Sequence, residues 1–409
     1  MTSPTVETVP LSRNRNYTIL WSSQVLSEVG FNASLIAFPL LVLAATGSAG
    51  AAGLVLAADA VAQLLVGLPG GALVDRWDRR KIMLGCEAVQ ATALASLVAA
   101  LWWGTVGIPH LVGVAAVMGA CRALFEPAED ACLPRLVPEE QLATAVAMNS
   151  ARTSLGQLSG TAAGGFLFAL ARWVPFAVDV VTHALAFVGL LFLRVPPREV
   201  AVQPINRLGR EMVDGLRWVW RRREVRVTAC CAVALNLFFN AFYLVVIVLA
   251  QGRGVPAGEI GVMAAMLGAG GILGALLAPR LLRVLSPYAS IIGVFWMLTA
   301  LTPLAVLVHS GYLLGALFAG MALLAPTANT TINTHQLLLT PDELRGRLAG
   351  VMAVVTGSAA ALGPAFGGLL TQLLPGSGAV LLCAAGMAAV TVLVTVNPTL
   401  RRYPKRKEA

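Results

Sequence analysis

The feature that most constrains this chain is an apolar stretch long enough to cross a bilayer, recurring twelve times along 409 residues. A helix of about 20 residues spans a hydrocarbon core of roughly 30 Å. With 57% hydrophobic and only 12% charged residues, a soluble fold of this length would lack the polar surface to cover itself. The period-two alternation of a transmembrane barrel is absent, so helices must satisfy the backbone inside lipid. The sequence predicts an all-α integral membrane protein of twelve transmembrane helices.

The formal charge of +9 raises the question of a nucleic-acid partner, and the placement of the 29 Lys and Arg answers it. With the N-terminus taken as cytoplasmic, the inner segments hold 25 of them and the outer segments only Arg172 and Arg253; Arg122 and Arg152 lie within spans. Such a bias sets orientation by the positive-inside rule. The expectation is a multi-pass protein of a bacterial cytoplasmic membrane with both termini in the cytoplasm, whose charge is topological and whose surroundings are lipid. The six cysteines sit in or beside apolar stretches without C-x-x-C spacing, so they read as small core residues, with no metal site and no disulfide framework. The first apolar run lacks an A-x-A-like cleavage site and is expected to remain as the first span.

One long polar stretch divides the spans six and six: Arg194 to Arg226 holds nine arginines. This gives a first six-helix bundle over 1–193, a cytoplasmic loop over 194–225 and a second bundle with a basic tail over 226–409. Within the loop Leu208, Met212, Leu216 and Val219 recur at helical spacing. That fits either an amphipathic helix on the membrane surface, anchored by Trp218 and Trp220, or a solvated linker helix. The halves are related by a fixed offset of 203 residues. Gly71-Ala72-Leu73 maps to Gly274-Ala275-Leu276, Pro138-Glu139-Glu140 to Pro341-Asp342-Glu343, and Gly160, Gly164 and Gly165 to Gly363, Gly367 and Gly368. Six spans per copy return the chain to the same side, so the repeats are parallel, about an axis along the membrane normal.

The strongest local motif is Gly71-Ala-Leu-Val-Asp75-Arg76-Trp-Asp78-Arg79-Arg80-Lys81, between the second and third spans. It resembles the G-x-x-x-D-R-x-G-R-[RK] signature of the major facilitator superfamily, with Asp78 where that pattern has glycine. The D-R-x-D-R-R variant is similar to the branch containing enterobactin exporters and macrolide efflux pumps. Ser27-Glu28-Val29-Gly30, Leu133-Pro134-Arg135-Leu136-Val137-Pro138 and Pro341-Asp-Glu-Leu-Arg-Gly-Arg347 extend the resemblance over nearly the entire chain. It implies the major facilitator fold. It further implies that Gly71, Asp75, Arg76, Arg79 and Arg80 form a conformational lock, Asp75 facing the capped N-terminus of the eleventh span and closing the cytoplasmic side. A carboxylate suits such a helix start, where N–H groups are unpaired. A purely topogenic basic loop is the alternative. In the second half Ala278 occupies the position of Asp75.

Gly156, Gly160 and Gly164 in the fifth span, and Gly363, Pro364 and Gly367 in the eleventh, read as close helix packing or as the G-P-x-x-G-G element that the resemblance associates with export. Ionisable groups inside lipid-spanning helices are costly and mark functional candidates. Glu28, Asp59, Asp179 and His183 are proton-coupling candidates, because a carboxylate in a low-dielectric cavity takes up and releases protons as its exposure changes. Glu28 and Asp59 lead this set. The competing role is a fixed ion pair with Arg122 or Arg152, and Arg122 also has Glu126 one turn along its helix. In the second half Asn236, Asn240, Asn329, Asn333 and Gln336, with Phe242, Phe238, Phe239 and Trp296, suit either a substrate cavity or helix-to-helix bonding.

These readings converge on a secondary transporter without cofactors. The expected activity is proton-gradient-driven efflux by antiport of a drug-like compound, siderophore or secondary metabolite, by a monomer. Uptake or uniport of a small nutrient, or a transporter-like receptor, is the alternative. An enzyme would need clustered nucleophiles or metal ligands, and the four histidines are scattered. If Asp75 closes the cytoplasmic side, Asp75→Asn shifts single-cysteine labelling toward the inward-open state; unchanged labelling leaves the loop topogenic.

Overall fold

The computed structural model describes residues 10–195, 216–339, 342–374 and 376–401. The first half consists of α1 (Arg15–Thr46), α2 (Ala49–Arg76), α3 (Arg79–Trp103), α4 (Ile108–Leu136), α5 (Glu139–Leu170) and α6 (Val174–Leu191). The second consists of α7 (Arg223–Gly252), α8 (Ala257–Val284), α9 (Pro287–Leu301), α10 (Gly311–Ala322), α11 (Ala325–Leu339), α12 (Asp342–Leu373) and α13 (Gly376–Val396). Helices α10 and α11 form one span broken at Leu323-Leu324, so each half contributes six rods, and no strand occurs among the described residues.

Turn chemistry explains the tight connections. Gly47 adopts φ +66°, a left-handed conformation that ends α1 without side-chain strain, and the adjacent Ser48 hydroxyl accepts from Ala51 N to start α2. Asp78 caps α3 by accepting from Arg80 N and Lys81 N at 2.9 and 3.3 Å. This accounts for the aspartate in the loop signature: the position needs an N-cap. Arg79 then donates to Ala131 O, and Arg80 donates to Leu190 O and Leu191 O at 3.1 and 2.6 Å. The two arginines thus tie the start of α3 to a carbonyl in the last two turns of α4 and to the terminal carbonyls of α6, where cations are favoured. The surroundings of Gly71, the side chains of Asp75 and Arg76, and most of the expected amphipathic loop helix lie outside the described residues. The loop's described end, 216–221, is helical, with Val219 buried against Val225 and Val351 and Trp220 exposed.

Among the described residues, ten helical stretches are long and apolar enough to span a bilayer by length and composition. Helix α5 and its repeat equivalent α12 meet their neighbours along glycine-lined faces. On α5, a Cβ at Gly156, Gly160 or Gly164 would strike α1 at Glu28, Val29 or Ala33. On α12, one at Gly363 or Gly367 would strike α7 at Asn240 or Ala241. One residue further along each helix the contact changes partner and crosses between halves. A Cβ at Gly165 would lie 2.6 Å from Gly261 Cα of α8, and one at Gly368 would lie 2.6 Å from Ala49 O of α2. Both crossings sit at the end of the molecule remote from the arginine-rich loops, which we call the far end. The opposite end is the basic end. Exposed Trp102 and Trp103 ring the far end and exposed Trp77 and Trp220 the basic end, as interfacial aromatics do.

Adding a methyl-bearing side chain at either crossing overpacks it at about 1–3 kcal/mol. Gly165→Val and Gly368→Val are therefore expected to open the far end. The measure is faster maleimide labelling of a cysteine introduced at Ala257, in a background freed of native cysteines; unaltered labelling would show that the far-end seal does not depend on these glycines.

Candidate functional site: an acidic cavity in the first half

Toward the basic end, a cavity of about 380 Å³ is lined, among the described residues, by the first half alone. Its wall carries Glu28 from α1, Glu87 from α3, Glu126, Glu129, Asp130 and Arg122 from α4, Arg152 from α5 and His183 from α6. Five carboxylates therefore face two guanidiniums and an imidazole. Phe31, Phe125, Leu133 and Val146 supply apolar wall between the charges.

Apart from the exposed Asp130, the charges fall into three groups. Arg152 makes a bidentate pair with Glu129, Nη1 to Oε1 at 2.5 Å and Nη2 to Oε2 at 2.9 Å, both side chains being buried. Two parallel bonds in this fork geometry fix α5 to α4 with both charges compensated. Arg122 donates from Nε to Glu126 Oε1 at 2.6 Å and lies 3.8 Å from Glu28 Oε1, with its guanidinium 4.4 Å above the Phe31 ring. Asn32 Nδ2 also reaches Glu28 Oε2 at 3.4 Å. The third group has no arginine. His183 Nδ1 is 2.6 Å from Glu87 Oε2, and His183 Nε2 is 3.3 Å from Asp179 Oδ1. Gln24 Nε2 donates to Glu87 Oε1 at 3.0 Å, Ser27 Oγ is 3.2 Å from His183 Nδ1, and Thr182 Oγ1 is 3.4 Å from Asp179 Oδ1. Gly30 lets α6 approach here, since a Cβ at that position would lie 2.6 Å from Asp179 Oδ1.

Of the sequence candidates, Glu28, Arg122, Glu126, Arg152 and His183 meet in this cavity, with Asp179 directly behind His183. Asp59 lies apart, in a small apolar pocket with Phe31, Ser34 and Met118 beside Gly119. Arg152 pairs with Glu129 rather than with Glu28 or Asp59. Two buried carboxylates escape the sequence reading: Glu87, which follows a run of basic residues two turns earlier, and Glu129. The second is legible in retrospect, because Arg122, Glu126 and Glu129 form a stripe at helical spacing.

The second-half candidates lie apart from this cavity where they are described. Phe242 is a core residue, buried against Phe318 with ring centroids 5.5 Å apart. Phe239 also packs on Phe318 and Phe238 on Phe366. Trp296 is exposed on the outside and donates to Thr395 Oγ1 at 3.2 Å. Asn236 and Asn240 donate to the carbonyls of Ala232 and Asn236, both at 2.8 Å, as short polar side chains on a helix commonly do. Buried Gln336 donates to Thr228 Oγ1 of α7 at 3.1 Å, a bond between helices. Asn329 is exposed, and the side chain of Asn333 lies outside the described residues. None of the described amides lines the acidic cavity.

Comparison with known proteins agrees with this architecture. A family described as transmembrane secretion effectors matches residues 6–407. The multidrug efflux pump Tap of Mycobacterium tuberculosis is 27% identical over 418 aligned positions covering 97% of both chains. Macrolide efflux protein A of Enterococcus faecalis is 29% identical over 36% of this chain and 46% of its own length. Among solved structures, the nucleoside transporter NupG superposes with a TM-score of 0.75 at 12% identity, over 95% of this chain and 99% of its own. A bacterial homologue of the iron transporter ferroportin, in an inward-facing state, gives 0.71 at 16% identity, over 93% and 98%.

Removing one partner of a buried ion pair costs on the order of 3–5 kcal/mol, because the other charge stays buried alone. Glu129→Gln is expected to lower the melting temperature in detergent strongly, and the apolar double variant Glu129→Leu/Arg152→Met to recover most of it. Equal melting of Glu129→Gln and the unaltered protein would show that the pair is not a structural tie.

Proposed function

This chain belongs to the transmembrane secretion effectors, a family of major facilitator transporters, and from that premise we propose that it is a proton-coupled exporter of amphiphilic, drug-like organic cations. The carrying observation is the cavity wall, where carboxylates outnumber guanidiniums by five to two between aromatic and aliphatic patches. A cation with an apolar body gains from both surfaces, whereas an anionic siderophore would meet net repulsion. The names of the relatives, pumps for multiple drugs and for macrolides, support the same direction of transport.

Orientation follows from the positive-inside rule, which puts the basic end and both termini in the cytoplasm of a bacterial cell. The cavity is then open to the cytoplasm while the glycine crossings close the outside, a loading state for export. Alternating access proceeds by rocking of the halves, opening the Gly165 and Gly368 crossings as the basic end closes. A monomer suffices, since each protomer contains both halves and its own cavity. Glu28 is the cavity's least fixed carboxylate near the middle of its helix, and we assign it to the substrate's positive charge, in exchange with Arg122.

In proteoliposomes with an imposed proton gradient, lipophilic cations are expected to accumulate against their concentration and to lose that accumulation when nigericin collapses the gradient. Glu28→Gln is expected to raise the apparent KM for a cationic substrate about tenfold, the size of one lost charge-assisted contact. Gradient-independent equilibration in the unaltered protein would point instead to a uniporter.

A further inference from the structure

From the geometry of the third charge group we infer that Glu87, His183 and Asp179 form the exchangeable proton site of this transporter, a relay separate from the substrate's carboxylate; this rests on the proton-coupled reading above. The inference starts from a count of donors and acceptors. A neutral imidazole has one N–H and one lone pair. Here both ring nitrogens face carboxylates, at 2.6 and 3.3 Å. If both acids were ionised and the ring neutral, two carboxylates would share a single N–H inside a site whose three side chains are 1%, 2% and 0% exposed. A second proton resolves the conflict, either as imidazolium between two carboxylates or as a carboxylic acid donating to the ring. The cluster therefore holds two protons in its resting form, and one of them is removable at the cost of leaving a net charge of −2 in low dielectric.

Of the other acids of the cavity, Asp130 is exposed and the remaining three are held differently. Glu129 is compensated by the bidentate Arg152, and Glu28 and Glu126 by Arg122. A guanidinium stays charged at any physiological pH, so these pairs have no reason to gain or lose a proton in a cycle. Among the described residues, Glu87 and Asp179 have ion pairs with His183 alone. The groups facing the imidazole from other helices include no permanent cation: Ser27 and Gln24 of α1 are neutral, Cys121 of α4 is a thiol beside Cys86 of α3, and Thr182 and Asp179 come from α6 itself. Moreover His183 Nε2 lies within ion-pair distance of Asp179 Oδ1 without making a hydrogen bond to it, and Asp179 Oδ2 is buried with no hydrogen-bond partner among the described residues. Unsatisfied polar atoms gathered in one place are costly in a static tie and expected in a site that changes protonation.

The placement along the membrane normal suits a relay. Glu87 lies eight residues into α3 from the basic end and, with His183, lines the open cavity. Asp179 lies five residues into α6 from the far end and is absent from that lining. In the inward-open state a proton leaves His183 through Glu87 to cavity water, and the cluster goes from −1 to −2. A substrate cation entering the same cavity restores the lost positive charge, which is the physical basis for exchange. In the outward-open state Asp179, the member nearest the outside, takes up one proton and passes it to His183 as the cation leaves. One proton enters from outside and one leaves inside per cycle, so charge and protons balance.

The test uses the full-length protein with ethidium as the cationic probe. Ethidium added to weakly buffered, purified protein is expected to release protons, and imposed gradients to drive ethidium uptake in proteoliposomes. Asp179→Asn, His183→Gln and Glu87→Gln are each expected to lose both signals while retaining ethidium-for-ethidium exchange, which needs no net proton movement. Asp179→Asn is isosteric and decides the matter if His183→Gln does not fold. Proton release retained in a folded Asp179→Asn variant, or its loss in Glu28→Gln alone, would overturn the relay. Absence of both signals in the unaltered protein would overturn the proton-coupled reading itself.

Discussion

The structure depends on two backbone crossings at which helices touch without intervening side chains. At Gly165 against Gly261 and at Gly368 against Ala49 and Gly50, the two halves approach closely enough that a single added Cβ would collide with backbone. In lipid there is no hydrophobic drive between helices, so such close packing supplies much of their association. Because the crossings lie on repeat-equivalent helices, α5 and α12, they close the far end symmetrically. The same two helices are pinned within their own halves by Gly156, Gly160 and Gly164, and by Gly363 and Gly367. Closure at one end and a cavity at the other are thus consequences of where one row of glycines changes partner.

Symmetry stops at the backbone. The first half carries the cavity's carboxylates and arginines, while the second is filled by an aromatic core around Phe242 and Phe318 and has its amides bonded to its own helices and neighbours. A charge buried under lipid must be enclosed by protein and paired, and the first half does this in three ways with different consequences. A bidentate guanidinium makes a tie; in the proposed reading, the shared guanidinium leaves Glu28 to a competing cation and the imidazole between two acids leaves a proton to exchange. In the proposed cycle one half carries the charged sites and the other is the body against which it rocks.

Much of this is legible in the sequence. The lengths and spacing of apolar runs give the rods, the 203-residue offset gives their arrangement, and Asp78 followed by Arg79 and Arg80 announces a capped helix start. The pair Asp179 and His183 is readable as two groups on one helix face. What escapes is every relation between helices: Glu87 to His183 is a separation of 96 residues and Glu129 to Arg152 one of 23. Asn236 and Asn240 resemble cavity residues because amides on one face are equally compatible with a ligand and with a carbonyl one turn back.

The sequence alone determined that this chain spans a membrane as a twelve-rod parallel repeat with its charge biased to one side, because lipid permits only internally bonded helices and local spacing records which residues share a face. The tertiary structure alone decided which buried acid meets which base, since that depends on the rotation and depth of each helix against its neighbours. Those are set by where glycines allow backbones to touch, and a few ångströms there separate an arginine-held carboxylate from one held by an imidazole.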